Sequence, residues 1–248
     1  DSLTINNTAI NSSTGVNLNL AGGTADGTFL IGGYESVTFN TGSGSGNTEQ
    51  DLGDITINPD TVTTDVSLTI TGNNALDLNV AGVVTNSTGV LTINASGMKA
   101  QAAGTTTFEI ATTSQGTAGT AVITGSEGED IIVVGNFAST INGGAGTDAL
   151  TGGTAADTIS GGAGNDTLTG SGGNDTINGD DGDDTLVATT AGNYTVTGGA
   201  GDDTITGGAG DDDITGSAGA DTITTGTGAD TVVLVVSSGA DTIADLTE

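Results

Sequence analysis

The chain of 248 residues has no cysteine, no histidine and no tryptophan, and a single cationic side chain, Lys99. Each absence removes a chemistry. Without cysteine there is no disulfide framework and no thiolate zinc site; without histidine there is no imidazole base, no haem ligand and no Ser-His-Asp triad. One methionine (Met98), one proline (Pro59) and six aromatics (Phe29, Tyr34, Phe39, Phe108, Phe137 and Tyr194) leave little with which to line a cofactor or sugar cleft. No run of about 18 apolar residues occurs and no hydrophobic leader opens the chain, so neither membrane insertion nor a Sec-type signal is expected. Against the lone lysine stand 31 acidic residues, for a formal net charge of −30. Such a polyanion is repelled by nucleic acid phosphates and anionic lipid headgroups; its natural counter-ions are metal cations.

What the chain does have is glycine and acid, unevenly spread. Residues 116–248 hold 30 of the 45 glycines and 21 of the 31 acids, so composition changes near Gly116 and two domains are expected, 1–115 and 116–248. The first is rich in Thr, Ser and Asn. Its apolar residues alternate in short runs: Leu3/Ile5, Val16/Leu18/Leu20, Phe29/Ile31, Val37/Phe39, Ile55/Ile57, Val66/Leu68/Ile70, Leu76/Leu78/Val80, Leu91/Ile93 and Phe108/Ile110. Period-two alternation predicts half-buried strands, arranged as a sandwich or an irregular β-solenoid. Thr41–Asp54 and Met98–Thr107 read as loops.

The second segment is a repeat array. Windows of nine residues begin at Gly116, Gly125, Val134, Gly143, Gly152, Gly161, Gly170 and Gly179, and the array runs on past a one-residue insertion in ATTAGNYTVT. Clean copies read GGAGTDALT, GGAGNDTLT and GGAGDDTIT. The column that is eighth in a nine-residue window is always aliphatic, through the ten-residue window at Ala188 and the eleven-residue window at Leu234: Ile123, Ile132, Ile141, Leu150, Ile159, Leu168, Ile177, Leu186, Val196, Ile205, Ile214, Ile223, Val232 and Ile243. Two residues earlier stands a column of Asp130, Asp148, Asp157, Asp166, Asp175, Asp184, Asp203, Asp212, Asp221, Asp230 and Asp241, interrupted by Ala121, Ser139 and Tyr194.

A nine-residue unit with six turn residues and a three-residue strand can bury one aliphatic side chain and has no core alone. Stacking two units per coil gives a flattened parallel spiral of about seven coils, each rising roughly 4.8 Å. Stacking also puts each Asp about 5 Å from the next, where uncompensated repulsion amounts to roughly 3 kcal/mol at an effective dielectric near 20. A divalent cation between coils reverses the sign, each Asp ligating the ion above and the ion below with turn carbonyls completing the shell. Flexible oxygen-lined, glycine-rich turns suit Ca2+ better than Mg2+. All eleven aspartates of the column are therefore candidate calcium ligands. Alternate windows fall on opposite edges, one carrying an unbroken column (Asp130, Asp148, Asp166, Asp184, Asp203, Asp221, Asp241), the other two short pairs with a gap at Tyr194. The remaining acids, Asp180, Asp181, Asp183, Asp202, Asp211 and Asp213, read as solvated charge.

The Gly-Gly-x-Gly-x-Asp pattern with its aliphatic eighth position resembles the RTX nonapeptide repeats. That resemblance implies a calcium-binding parallel β-roll and export by a type I system. The chain opens on Asp1, and DTIADLTE resembles the start of a post-repeat region, so a piece of a longer protein is expected. In the first segment ESVTFNT, LDLNVAG and VLTINASG resemble bacterial surface-layer proteins. The expected function is a non-enzymatic, secreted, cell-surface structural protein. It would assemble with copies of itself into a lattice or fibre, with cell-surface polysaccharide as a further partner. The alternative is a calcium-folded module of a larger adhesin, toxin or hydrolase. A glycosidase pair among Glu35, Glu49, Asp51, Asp54 and Glu109 lacks aromatic platforms. Asp26, Glu35 and Asp77 show no ligand spacing.

Overall fold

The computed structural model describes residues 4–6, 16–19, 29–32, 36–40, 50–58, 66–72, 76–81, 90–99, 108–113, 119–189, 191–235 and 239–245. Every described element is a β-strand, and every pairing between them is parallel. Two compact units are formed, Asp1–Phe137 and Ala138–Glu248.

The first unit contains β1 (Thr4–Asn6), β2 (Val16–Asn19), β3 (Phe29–Gly32), β4 (Ser36–Asn40), β5 (Gln50–Asn58), β6 (Val66–Gly72), β7 (Leu76–Ala81), β8 (Val90–Met98), β9 (Phe108–Thr113), β10 (Thr120–Thr124) and β11 (Asp130–Val133). Each strand pairs with the one two places on, odd strands in one sheet and even strands in the other. A chain that lays down alternate strands in two parallel sheets is winding, so of the two expected arrangements the solenoid is the one formed. Its turns are unequal: Val16 pairs with Val37, Val37 with Leu68 and Leu68 with Ile93, separations of 21, 31 and 25 residues. Seven of the nine alternating apolar runs lie wholly on strands; the other two do so through Ile5, Val16 and Leu18, while Leu3 and Leu20 lie outside the described residues. Leu68, Ile70, Leu91, Ile93, Ile110, Ile123 and Ile132 are buried, each of the order of 2 kcal/mol of hydrophobic stabilisation.

Two loop expectations need correction. Gln50–Asp54 belongs to β5 and Met98 ends β8 with its side chain buried. In β8 the inward alternation Leu91, Ile93, Ala95 continues through a small residue, then slips at Gly97, where the register against β6 shifts, so that Met98 also turns inward. A methyl group on Gly97 would lie 2.8 Å from Thr71 Cγ2, which is why the slip needs glycine. Residues 41–49 and 100–107 lie outside the described residues. Lys99 pairs with Glu127, both exposed, an interaction worth little to stability.

The second unit contains β12 (Ala138–Ala145), β13 (Ala149–Thr151), β14 (Thr158–Ala163), β15 (Thr167–Thr169), β16 (Thr176–Asp181), β17 (Thr185–Val187), β18 (Thr195–Ala200), β19 (Thr204–Thr206), β20 (Asp213–Ala218), β21 (Thr222–Thr224), β22 (Thr231–Val233) and β23 (Thr242–Ile243). Here the turns are nearly uniform. In one sheet Ile141, Ile159, Ile177, Val196, Ile214 and Val232 are consecutive register partners; in the other Leu150, Leu168, Leu186, Ile205, Ile223 and Ile243 are. Those from Ile141 to Ile223 are essentially inaccessible to solvent, a core one side chain wide on each sheet. The flanking Thr side chains point outward, as at Thr167 and Thr185. The inserted residue shifts nothing: Ile177 still pairs with Val196 and Leu186 with Ile205, so the extra residue is absorbed in the turn before Tyr194. Strands β10 to β23 fall one to each repeat window, two per turn, which gives the seven turns expected. The first two of them, β10 and β11, pair with β8 and β9 in the first unit.

Candidate metal centre

In a window such as Gly161–Thr169 the aliphatic Leu168 anchors β15, Gly161 to Ala163 end β14, and Gly164 to Asp166 form the turn from one sheet to the other. Asp166 therefore closes the turn, at the point where the chain enters β15. The aspartates are not on the rim. Asp148, Asp157, Asp166, Asp175, Asp184, Asp203, Asp212 and Asp221 are all 3% exposed or less, tucked beneath their turns.

One oxygen of each carboxylate is occupied by protein. On the first edge the backbone N–H of Asp148 donates to Asp166 Oδ1 (2.7 Å), Asp166 to Asp184 (2.7 Å), Asp184 to Asp203 (2.8 Å), Asp203 to Asp221 (3.0 Å) and Asp221 to Asp241 (3.2 Å). The second edge runs Ser139 to Asp157 (2.7 Å) and Asp157 to Asp175 (2.8 Å). It resumes with Tyr194 to Asp212 (2.8 Å) and Asp212 to Asp230 (3.0 Å). The alternation of windows between two edges is thus present as a hydrogen-bonded ladder. Oδ1 of each of these aspartates thus caps a backbone donor of the turn before.

The other oxygen is the informative one. Oδ2 of Asp166, Asp175, Asp184, Asp203, Asp212 and Asp221 is buried with no hydrogen-bond partner. A buried carboxylate oxygen without a donor is costly unless a cation meets it. Beside it stands a second acceptor. A methyl group built on Gly161 would fall 2.3 Å from Asp166 Oδ2 and 2.7 Å from Gly179 O; on Gly179, 2.3 Å from both Asp184 Oδ2 and Gly198 O; on Gly198, 2.2 Å from Asp203 Oδ2 and 2.6 Å from Gly216 O. On the second edge Gly207 is flanked likewise by Asp212 Oδ2 (2.8 Å) and Thr225 O (2.4 Å). The first glycine of each of these windows is therefore a cradle in which a carboxylate oxygen and the next turn's carbonyl face one small space; Gly170 and Gly216 have the carboxylate but no carbonyl as near. The sequence follows this pairing in part: Val134 and Ala188 open the windows of Ser139 and Tyr194, but Gly116 opens that of Ala121, and Thr225 and Leu234 open those of Asp230 and Asp241. Among the described residues no three acidic side chains converge on one point. The donor set is instead one carboxylate per turn supplemented by backbone carbonyls, hard oxygen ligands of the kind Ca2+ accepts.

Not all eleven positions are alike. Asp130, in the first unit, has its carboxylate engaged by Ser126, whose N–H donates to Oδ2 (2.5 Å) and Oγ to Oδ1 (2.7 Å). Asp157 Oδ2 accepts from Gly153 N–H (2.7 Å) in a turn that has Ala155 where other turns have glycine. Asp230 and Asp241, in the last windows, are partly exposed.

Burial dominates the electrostatics. It pushes the carboxyls of Asp166 and Asp203 up to about 7 and that of Asp175 to about 6, against the opposing pull of the N–H that each accepts. Neighbouring carboxylates on the ladder add to the rise. Asp157, Asp184, Asp212 and Asp221 are raised for the same leading reason.

The acids read as solvated charge are partly structural. Asp183 N–H donates to Asn165 Oδ1 (3.1 Å), Asp202 N–H to Asp183 Oδ1 (2.9 Å) and Ala220 N–H to Asp202 Oδ1 (2.8 Å). Asn174, Asn193 and Asp211 do the same on the other edge. This outer ladder at the fifth position was legible as a recurrence of Asn and Asp. Asp180 accepts from Ser160 Oγ and Asn178 Nδ2. Asp245, absent from any repeat column, caps the final turns by accepting from Thr225 N–H (2.8 Å) and Gly226 N–H (2.8 Å), which hold its carboxyl below the usual range. In the first unit the register sets Asp51, Asp77 and Glu109 at matching positions on β5, β7 and β9, whereas Asp26, Glu35 and Glu49 lie outside the described residues.

The family model of the RTX calcium-binding nonapeptide repeat matches residues 124–159, 151–186 and 197–232. No curated protein matches the chain. Repeat pattern, parallel winding and oxygen-lined cradles agree with one another: the chain carries RTX calcium-binding repeats wound as a parallel β-roll, and these repeats bind multiple Ca2+ ions.

Proposed function

We propose that the chain is a non-catalytic structural protein, secreted into calcium-containing surroundings, that folds on calcium and assembles with copies of itself into a bacterial surface layer or extracellular fibre. The observation that carries this reading is the row of buried Oδ2 atoms with no donor in a chain that has a single cationic side chain. The protein has nothing of its own with which to neutralise them. The proposed ligands are Asp166, Asp184, Asp203 and Asp221 with the carbonyls of Gly179, Gly198 and Gly216 on the first edge, and Asp212 with Thr225 on the second. RTX repeats are characteristic of secreted proteins, and little free calcium inside the cell would leave the array unfolded by self-repulsion until export. Self-contact is supported by the outward rows of uncharged Thr, including Thr167, Thr185, Thr204 and Thr222, which let two copies of a polyanion meet without opposing charges. The same hydroxyl rows suit a cell-surface polysaccharide.

The second reading, a calcium-folded module of a larger secreted adhesin, toxin or hydrolase, is favoured by the exposed apolar run Val233, Leu234 and Val235, which a neighbouring domain would cover. Electron microscopy and sedimentation of the purified chain, with calcium and with chelator, separate the two. Ordered sheets or filaments with calcium support assembly; a folded, monodisperse monomer supports the module. A chelated chain that keeps its full β circular dichroism and melts no earlier than the calcium-loaded form overturns both.

A further inference from the structure

The second edge contains one turn built differently from the rest, and its chemistry is that of a plug. In the cradles of Gly161, Gly179, Gly198 and Gly207 the two groups facing the same space are a carboxylate oxygen and a carbonyl oxygen of the following turn. At Gly170 the carboxylate is still present, Asp175 Oδ2 at 2.6 Å from the added-methyl position, but the carbonyl is not among its near neighbours. Tyr194 Cε1 is, at 3.2 Å. The same ring lies over Gly192, with Cζ 3.2 Å from the corresponding point there. Tyr194 is 1% exposed, and its hydroxyl donates to Ser171 O at 2.9 Å.

Ser171 occupies the second position of its window, where Gly153 O and Gly208 O accept the N–H of the following turn's third residue, Gly172 and Thr227. The phenol donates to the carbonyl at that same repeat position, in the turn before the one that carries the inserted residue. An aromatic ring also carries its positive edge outward, so the group facing the Asp175 carboxylate is weakly electropositive and apolar rather than a second anionic oxygen.

We propose that Tyr194 is a plug that occupies the space of a cation without replacing its charge, leaving Asp175 Oδ2 with no donor at that rung. It closes the rung between Asp175 and Asp212 with a ring and a hydroxyl, and divides the second edge into two independent calcium runs, Asp157–Asp175 and Asp212–Asp230, beside a first edge that is continuous from Asp148 to Asp241. The inference rests on the reading that the Asp ladder holds the ions. It adds that one rung of the ladder is metal-free by construction.

Counting bound Ca2+ per chain by equilibrium dialysis with elemental analysis tests it. The double variant Tyr194→Asp with Ala188→Gly restores carboxylate and cradle, and it should bind at least one more ion than wild type. An unchanged count in a variant that still folds overturns the proposal. Should the double variant not fold, two conservative variants ask the same question without touching the ring. Asp166 has an acidic rung on each side, Asp175 on one side only. Asp166→Asn should therefore lose more ions than Asp175→Asn, and equal losses overturn the plug. A wild-type chain that binds no calcium at all would instead sink the underlying ladder reading, so the two failures are distinguishable.

Discussion

The backbone N–H of Asp184 donates to Oδ1 of Asp203, one turn further along the chain, at 2.8 Å, while Oδ2 of Asp203 is buried beside Gly198 with no donor. A single carboxylate is thus half structural and half vacant in its hydrogen bonding. The two halves are separable by mutation.

Asp203→Asn keeps an oxygen for the Asp184 N–H and removes the charge. Without calcium the variant should be as stable as wild type or more so, because a buried carboxylate is gone. With calcium it should lose part of the ion-dependent gain, on the order of 1–3 kcal/mol for the group that no longer meets a cation. Calorimetry with and without EGTA reads both. A variant destabilised equally in the two conditions would mean that Asp203 serves the ladder alone.

Gly161→Ala places a methyl 2.3 Å from Asp166 Oδ2 and 2.7 Å from Gly179 O, so one of them must move. A loss of about 1–3 kcal/mol is expected, together with a weaker response to calcium at that rung. Ala188→Gly, at the same repeat position beneath Tyr194, meets no such carboxylate of its own turn and should change thermal stability by less than Gly161→Ala does.

The pH dependence of the ion-free protein has a definite sign. Asp166 and Asp203 titrate near 7 when folded and near the ordinary 3.8 when unfolded. Between those values the folded state holds more protons, so stability is greatest at low pH and is lost as pH rises toward 7. Relief of net negative charge acts in the same direction. In chelator the melting temperature should therefore be higher at about pH 4.5 than at about pH 7.5, and in excess calcium the order should reverse as cations displace protons. A chelated protein more stable at the higher pH would contradict the burial seen at these carboxyls.

Leu168→Ala empties one rung of a core that is one side chain wide. The expected cost is about 2–5 kcal/mol, at the upper end because neighbouring rungs are fixed by backbone pairing and cannot collapse into the space. Denaturant unfolding in calcium measures it.

Where the repeat is strict, the sequence was nearly sufficient. Fourteen aliphatic positions predicted fourteen strands, and the alternation of windows placed Asp148, Asp166 and Asp184 on one edge. The absorption of the insertion before Tyr194 followed from the aliphatic column alone. What periodicity could not reveal is the direction in which a carboxylate points. That Asp166 turns inward depends on Gly161 of its own window leaving room for it, and its cap on Asp148 is a relation between two turns rather than a property of either. The unequal turns of the first unit hid the winding there, since partners such as Val37 and Leu68 share no fixed spacing. The slip at Gly97 concealed the end of β8 for a similar reason.

The two side-chain ladders run in opposite senses: at the sixth position a turn's carboxylate receives its proton donor from the preceding turn, and at the fifth position the side chain receives it from the following one. Consecutive first-edge turns that carry both ladders, such as those of Asp166, Asp184 and Asp203, consequently present the same complementary surfaces above and below. At that edge an in-frame duplication of such a turn would recreate the same junctions, so the array can be lengthened by genetic copying without redesigning them.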